Sequence, residues 1–124
     1  MDGNLPKAAF DLEERTAAFG EAVLRFVRRI SRNPVNDPLI SQLVRSATSV
    51  GAKYCEADDS VSKRDFKNKI GLCRKESRET KYWLRVIAVA NDELKAEARR
   101  LWTEAKELNL IFSKIFRSCG VNEK

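Results

Sequence analysis

The chain has 124 residues with 24 Lys and Arg, 18 Asp and Glu, and no histidine, for a formal charge of +6 and a sequence pI near 9.4. That length holds one domain around one core, and so few Gly (5) and Pro (3) argue against an all-β fold with many tight turns. The missing histidine removes the commonest general base and the commonest metal ligand, and a basic surplus points to anionic partners.

Residues 1–10 read as a loose arm interrupted by Pro6. From about 11 to 32 the pattern is helical: Leu12, Phe19, Val23, Phe26 and Ile30 recur at three- and four-residue steps. Glu13 and Glu14 near its start and Arg28, Arg29 and Arg32 near its end suit the helix dipole. Arg25, Arg28, Arg29 and Arg32 share an outer face, and Glu21 stands four residues before Arg25, at pairing distance on a helix.

Pro34 breaks this helix, and Asp37-Pro38 reads as an N-cap followed by proline at the first helical position. The second helix runs from about 37 to 57, with Ile40, Leu43, Ala47, Val50 and Tyr54 inward. Its middle is small (Ser46 to Ser49, then Gly51 and Ala52), so Gly51 predicts a close approach by a neighbouring helix.

Ser62 with Asp65 resembles a capping box and opens a third helix, about 62 to 90. Its core stripe is Phe66, Ile70, Cys73, Ser77, Thr80 and Leu84. Lys63, Lys67, Arg74, Arg78, Lys81 and Arg85 fall within an arc of about 60° that holds no acid, and this row runs ~33 Å along the helix axis. These six are the candidate nucleic-acid contacts. Leu72, Trp83, Val86 and Ala90 lie on neither stripe. They form a second apolar patch, either a subunit contact or a contact within the bundle. Asn91 or Asp92 caps the last helix, about 92 to 117, where Leu94, Ala98, Leu101, Ala105, Leu108, Phe112 and Ile115 repeat with a heptad-like rhythm and Gly120 suits the stop. Trp102 lies off that seam and is another candidate for a subunit interface, or a large side chain at the bundle edge. The sum is an all-α, single-domain, antiparallel up-down-up-down four-helix bundle.

Three stretches carry a resemblance. They are ISQLVRSATSVGAKYCEA at 40–57, SKRDF at 62–66 and KESRETKYWLR at 75–85. The first and third, in this order and at this spacing, resemble the four helix bundle protein family, also called the 23S ribosomal RNA intervening-sequence protein family. The resemblance implies a four-helix bundle that assembles as a homopentameric ring. Some relatives are encoded within inserts in ribosomal RNA genes. A related branch, the accessory protein of diversity-generating retroelements, is a basic pentamer that binds nucleic acid and a reverse transcriptase. Arg45, Ser46 and Glu56 match the first block, and Glu76, Glu79, Tyr82, Trp83 and Arg85 the second. Lys53 and Cys55 depart from the family pattern, where Asn and a basic residue are common.

Carboxylates at Glu21, Glu56, Glu76, Glu79 and Glu104 spread over all four helices, but a di-metal bundle site needs Glu-x-x-His pairs. Glu76 and Glu79 lie away from the core stripe and opposite the cationic row, so ion pairs are their expected role, for example Glu56 or Glu76 with Arg45. Cys55, Cys73 and Cys119 are odd in number and show no C-x-x-C spacing, which argues against a disulfide framework or zinc site, and there is no glycine-rich phosphate loop. The start shows no signal-peptide pattern and no apolar run nears the ~20 residues of a membrane span, so a cytoplasmic protein without membrane contact is expected. The expectation is a non-enzymatic oligomer without cofactor or metal. It binds RNA or DNA through backbone electrostatics, without sequence specificity. The alternative is an adaptor whose basic surface meets an acidic partner protein.

Overall fold

The computed structural model describes residues 11–120; the arm expected at 1–10 lies outside them. Four helices follow one another: α1 (Leu12–Val27), α2 (Asn36–Asp58), α3 (Lys63–Ala90) and α4 (Lys95–Ser118), the last preceded by a 3-10 turn at Asp92–Leu94. Among the described residues there is no strand, and no helix is long and apolar enough to cross a membrane.

Contacts place the helices around a square. Helix α3 packs between α2 and α4, and α1 closes the ring against the same two. Each neighbouring pair runs antiparallel. Arg15 meets Glu104 while Arg29 meets Glu97, and Ser46 meets Thr80 while Val50 meets Cys73. The core is the predicted one: Phe19, Val23, Phe26, Leu43, Val50, Ile70, Leu84, Leu108 and Phe112 are all buried, and Phe66, Ile40, Tyr54, Leu101 and Ile115 line its margin.

Helix boundaries differ from the sequence reading at two corners. Helix α1 ends at Val27, short of Arg32, because Arg29 N–H and Ile30 N–H bond back to Phe26 and Val27 carbonyls and tighten the last turn. Helix α2 begins at Asn36, so Pro38 is its third residue and Asp37 is not the cap. Asn33 takes that work instead: its Oδ1 accepts from Val35 N–H (2.9 Å) and Asn36 N–H (2.7 Å). The Asp37 carboxylate turns back to accept from Arg32 Nε at 2.6 Å and Asn33 N–H at 3.2 Å. At the second corner neither Asn91 nor Asp92 caps α4 with its side chain: Asn91 exchanges bonds with Asn36, and the 3-10 turn at Asp92–Leu94 leads into the helix instead. The Ser62 cap forms as read, and Asp11 supplies one that the sequence reading did not name. Asp11 accepts from Glu14 N–H, and Ser62 accepts from Asp65 N–H at 3.0 Å.

Two packing details fix the bundle. A Cβ on Gly51 would sit 3.1 Å from Thr16 Oγ1, so the glycine lets α1 and α2 close up, as the small-residue run of α2 predicts. At the opposite end, Asn36 and Asn91 are buried and exchange hydrogen bonds, Asn36 Nδ2 to Asn91 Oδ1 at 3.0 Å and Asn91 Nδ2 to Asn36 Oδ1 at 2.9 Å. The pair ties the start of α2 to the α3–α4 turn, and neither amide can leave without stranding its partner away from water.

Charge locks α2 to α3. Arg45 spans Glu76 and Glu79, and Trp83 Nε1 donates to Glu79 Oε2 at 2.9 Å. Glu76, expected away from the core stripe, is buried at the α2–α3 seam, where it meets Arg45 as the sequence reading expected. Glu56 pairs with Lys53 and Lys69 rather than Arg45. The Glu21–Arg25 pair does not form; Arg29 and Arg32 are met by Glu97 and Asp37 instead.

Two predictions follow from these contacts. The Trp83 indole N–H, then Arg45, hold the Glu79 carboxyl below its ordinary value. A depressed folded pKa means stability present above the unfolded value near 4.3 and lost as pH falls. Glu79→Gln is therefore expected to lower urea-unfolding stability by about 1 kcal/mol at pH 7, with the gap narrowing as the pH falls into the acid range. Burial pushes the Cys73 thiol up to about 12, while Cys55 is exposed. Iodoacetamide at pH 8 should label Cys55 in the native protein and Cys73 only after unfolding, as read by mass spectrometry.

Candidate nucleic-acid interface

The site is built on the α3–α4 face. Lys67, Arg74 and Lys81 stand seven residues apart on α3, and Trp102, Asn109 and Phe116 stand seven apart on α4. Because the helices run antiparallel, the two triplets meet as three rungs. The Lys67 ammonium lies 4.9 Å from the centre of the Phe116 ring, and the Arg74 guanidinium 4.5 Å from the same ring. Lys81 lies 5.5 Å from the Trp102 ring centre, which Lys106 of α4 approaches to 5.7 Å. At the middle rung, Asn109 Nδ2 donates to the Arg74 carbonyl (2.8 Å) and to Ser77 Oγ (3.2 Å). Gly71, between Lys67 and Arg74, admits the Phe116 ring: a Cβ there would lie 3.1 Å from Phe116 Cε1.

Ring faces order these cations without neutralising them, at about 0.5–1 kcal/mol per contact near the surface. The predicted row therefore divides. Lys67, Arg74 and Lys81 are half-buried over aromatic rings, and Lys63, Arg78 and Arg85 are exposed. Among the described residues, no carboxylate lies within ion-pair distance of Lys63, Arg74, Arg78, Lys81 or Arg85.

A second row faces the first across the seam. Lys95, Arg99, Lys106 and Arg117 are exposed and fall within about 40° of one another around α4, with no acid in that arc. The sequence reading missed this row because it followed the apolar seam of the last helix; the same wheel applied to its charges finds it. Phe116 was also missed. It is an ordinary apolar residue until α3 lies beside it, so the aromatic support of the cations has no signal along either helix alone.

The acids of both helices point elsewhere. Glu76 and Glu79 of α3 turn to Arg45 on α2. Glu97, Glu104 and Glu107 of α4 turn to Arg29 and Arg15 on α1. The Arg15 guanidinium is pushed above its ordinary value chiefly by its hydrogen bond to Glu104. What remains on the α3–α4 face is positive charge.

The candidate subunit-contact residues occupy different places. Trp83 sits at the α2–α3 seam, its ring edge-on to Tyr82 at 5.0 Å, and both Trp83 and Trp102 pack against the core of their own bundle. Leu72 and Val86 are half-buried on the outer side of α3, Val86 beside Tyr82 (57% exposed) and Val89 (83% exposed). Tyr82, Val86 and Val89 fall within about 60° of one another and make a small apolar patch beside the cationic row, with Lys75 and Glu79 standing between it and Leu72. Among the described residues, no three Cys, Asp or Glu side chains converge as a metal site would require.

A crystal structure from Bacteroides thetaiotaomicron, described as a protein with unknown function from the S23 ribosomal protein family, resembles this one with a TM-score of 0.74. It is 24% identical, and the match covers 86% of this chain and 98% of that one, so the likeness concerns the fold. No curated protein matches the chain. Residues 10–114 match the family model of the 23S rRNA-intervening sequence protein, a span that begins just before α1 and ends in the last turns of α4. On that match across all four helices, the chain belongs to the 23S rRNA-intervening sequence protein family.

Proposed function

We propose that the α3–α4 face binds RNA or DNA by its phosphates, making the protein a non-enzymatic, cytoplasmic nucleic-acid-binding scaffold. The carrying observation is the pair of acid-free cationic rows flanking Trp102 and Phe116. Arg74, Arg78, Lys81 and Arg85 on α3 and Arg99, Lys106 and Arg117 on α4 have no carboxylate within ion-pair distance among the described residues, so they lose no ion pair when phosphate arrives, and counterions released from the polymer drive association. The seam holds few hydrogen-bonding groups besides these cations and Asn109, whose amide is already engaged. The face accordingly suits backbone recognition without base readout. The family's name, which refers to an intervening sequence of 23S rRNA, agrees with an RNA-related role.

The apolar patch of Tyr82, Val86 and Val89 favours self-association, with the homopentamer implied by the family resemblance as the proposed assembly. Copies around a ring would present the basic face several times and add avidity.

Two measurements test this reading. Six phosphate contacts on duplex give a log–log salt slope near −5. Arg78→Glu, Lys106→Glu and Arg117→Glu together, all exposed positions, should abolish electrophoretic retardation at ~100 mM salt; an unchanged shift rejects the surface, and capture of an acidic protein by this face instead would favour the adaptor. Light scattering should give a mass several times 14.1 kDa at micromolar protein. Val86→Glu with Tyr82→Glu should reduce it to one chain. A wild-type mass of a single chain rejects self-association.

A further inference from the structure

The ladder of rungs has a fourth step, and it is open. Seven residues beyond Lys81 on α3 stands Ala88, and seven before Trp102 on α4 stands Lys95. Alanine supplies no long side chain there, and a cavity of about 340 Å³ occupies the place. Leu84, Ala88, Ala98 and Trp102 give its apolar lining, with Leu84 and Ala98 fully buried. Arg85 from α3 and Lys95 and Arg99 from α4 surround the opening. No carboxylate lines it. Lys95 and Arg99 also line a neighbouring depression with Asp92 and Glu93; of these acids Asp92 reaches Lys95, only at 3.6 Å, and is itself 86% exposed, a weak and screened pair. Lys81, over the same Trp102 ring, adds a further cation.

We propose that this cavity receives the terminal phosphate of a nucleic-acid strand lying along the α3–α4 face. The inference rests on the nucleic-acid reading of that face and goes beyond it by naming where a strand ends. Its argument is charge and position. Along the rows the cations are spread out over several turns, set to meet phosphodiesters that carry one charge each. Here three cations gather around one concavity, a match for a phosphomonoester, which carries about −1.5 to −2 at neutral pH. Arg85 is the last cation of the α3 row, and beyond Ala88 the chain turns at Asn91. The cavity thus closes the basic track at the end of the bundle. Its volume is at the small end for ligand sites, enough for a phosphate and part of its nucleotide. The apolar lining leaves one face of that nucleotide dry and raises the strength of the charge-assisted bonds at the rim.

The test uses the full chain and fluorescence anisotropy with three labelled oligonucleotides of one sequence, about 20 nucleotides long. One carries hydroxyls at both ends, one a 5′-phosphate and one a 3′-phosphate. The expected result is that a phosphorylated strand binds about 5- to 10-fold more tightly than the hydroxyl strand. Lys95→Gln with Arg99→Gln should erase that ratio while the hydroxyl strand still binds. Arg78→Gln, on the row but outside the cavity, should weaken all strands alike and keep the ratio. Equal binding of the three strands to wild type overturns the terminal site and leaves the nucleic-acid reading standing. Binding of none at 50 mM salt overturns both. A free nucleoside monophosphate that binds as tightly as the phosphorylated strand overturns the assignment to a strand end in favour of a small-molecule site.

Discussion

The Asn109 amide sets the phase of α4 against α3. Its two donated bonds, to a main-chain carbonyl and to a serine hydroxyl, satisfy both amide hydrogens and leave no freedom to slide by a turn. A shift of one turn, about 5.4 Å, would part Lys81 from Trp102 and Arg74 from Phe116. A polar side chain at a helix seam contributes modestly to stability, yet it selects one register among several that an apolar seam would tolerate. The order of the cationic face is a consequence of that selection.

A second consequence concerns charge. The bundle is basic by only six charges, and a random scatter of 18 acids among 24 bases would leave no large field of one sign. The fold sorts them instead. Arg45 on α2 and Arg15 and Arg29 on α1 draw the carboxylates of α3 and α4 toward the opposite half of the molecule. Those arginines thereby shape a surface they do not touch. Of the cations left behind on the α3–α4 face, Arg74 and Lys81 are held by ring faces and Arg78 and Arg85 by solvent, neither of which cancels their charge. A polyanion meeting them would find side chains already oriented, so less rotamer entropy is lost on binding.

The remainder of the bundle supports this face at its two ends and its back. Gly51 against Thr16 brings α1 close to α2. The Asn36–Asn91 pair anchors the α3–α4 turn, the end at which the proposed strand terminus would sit. The apolar patch of α3 lies beside the cations rather than among them. Self-association through that patch would leave the α3–α4 face open to solvent, so one helix could serve both assembly and binding without conflict.

Much of this architecture can be read from the chain alone. Apolar spacing determined four helices and their buried faces, the Ser62–Asp65 capping box determined where α3 begins, and the acid-free arc of α3 was visible on a wheel, because each depends on neighbours within a few turns of one helix. The corner between α1 and α2 was misread where two local signals competed, and Asn33 prevailed over Asp37-Pro38 because its side chain caps two amides at once. What tertiary structure alone decided is which charges survive and what carries them. Glu76 at a buried seam, Phe116 beneath Lys67 and Arg74, and the open fourth step at Ala88 all depend on residues 31 or more positions apart in the chain meeting across helices or on the gap between two helices. Periodicity tells which side of a helix a residue occupies; only the register between helices tells what stands opposite.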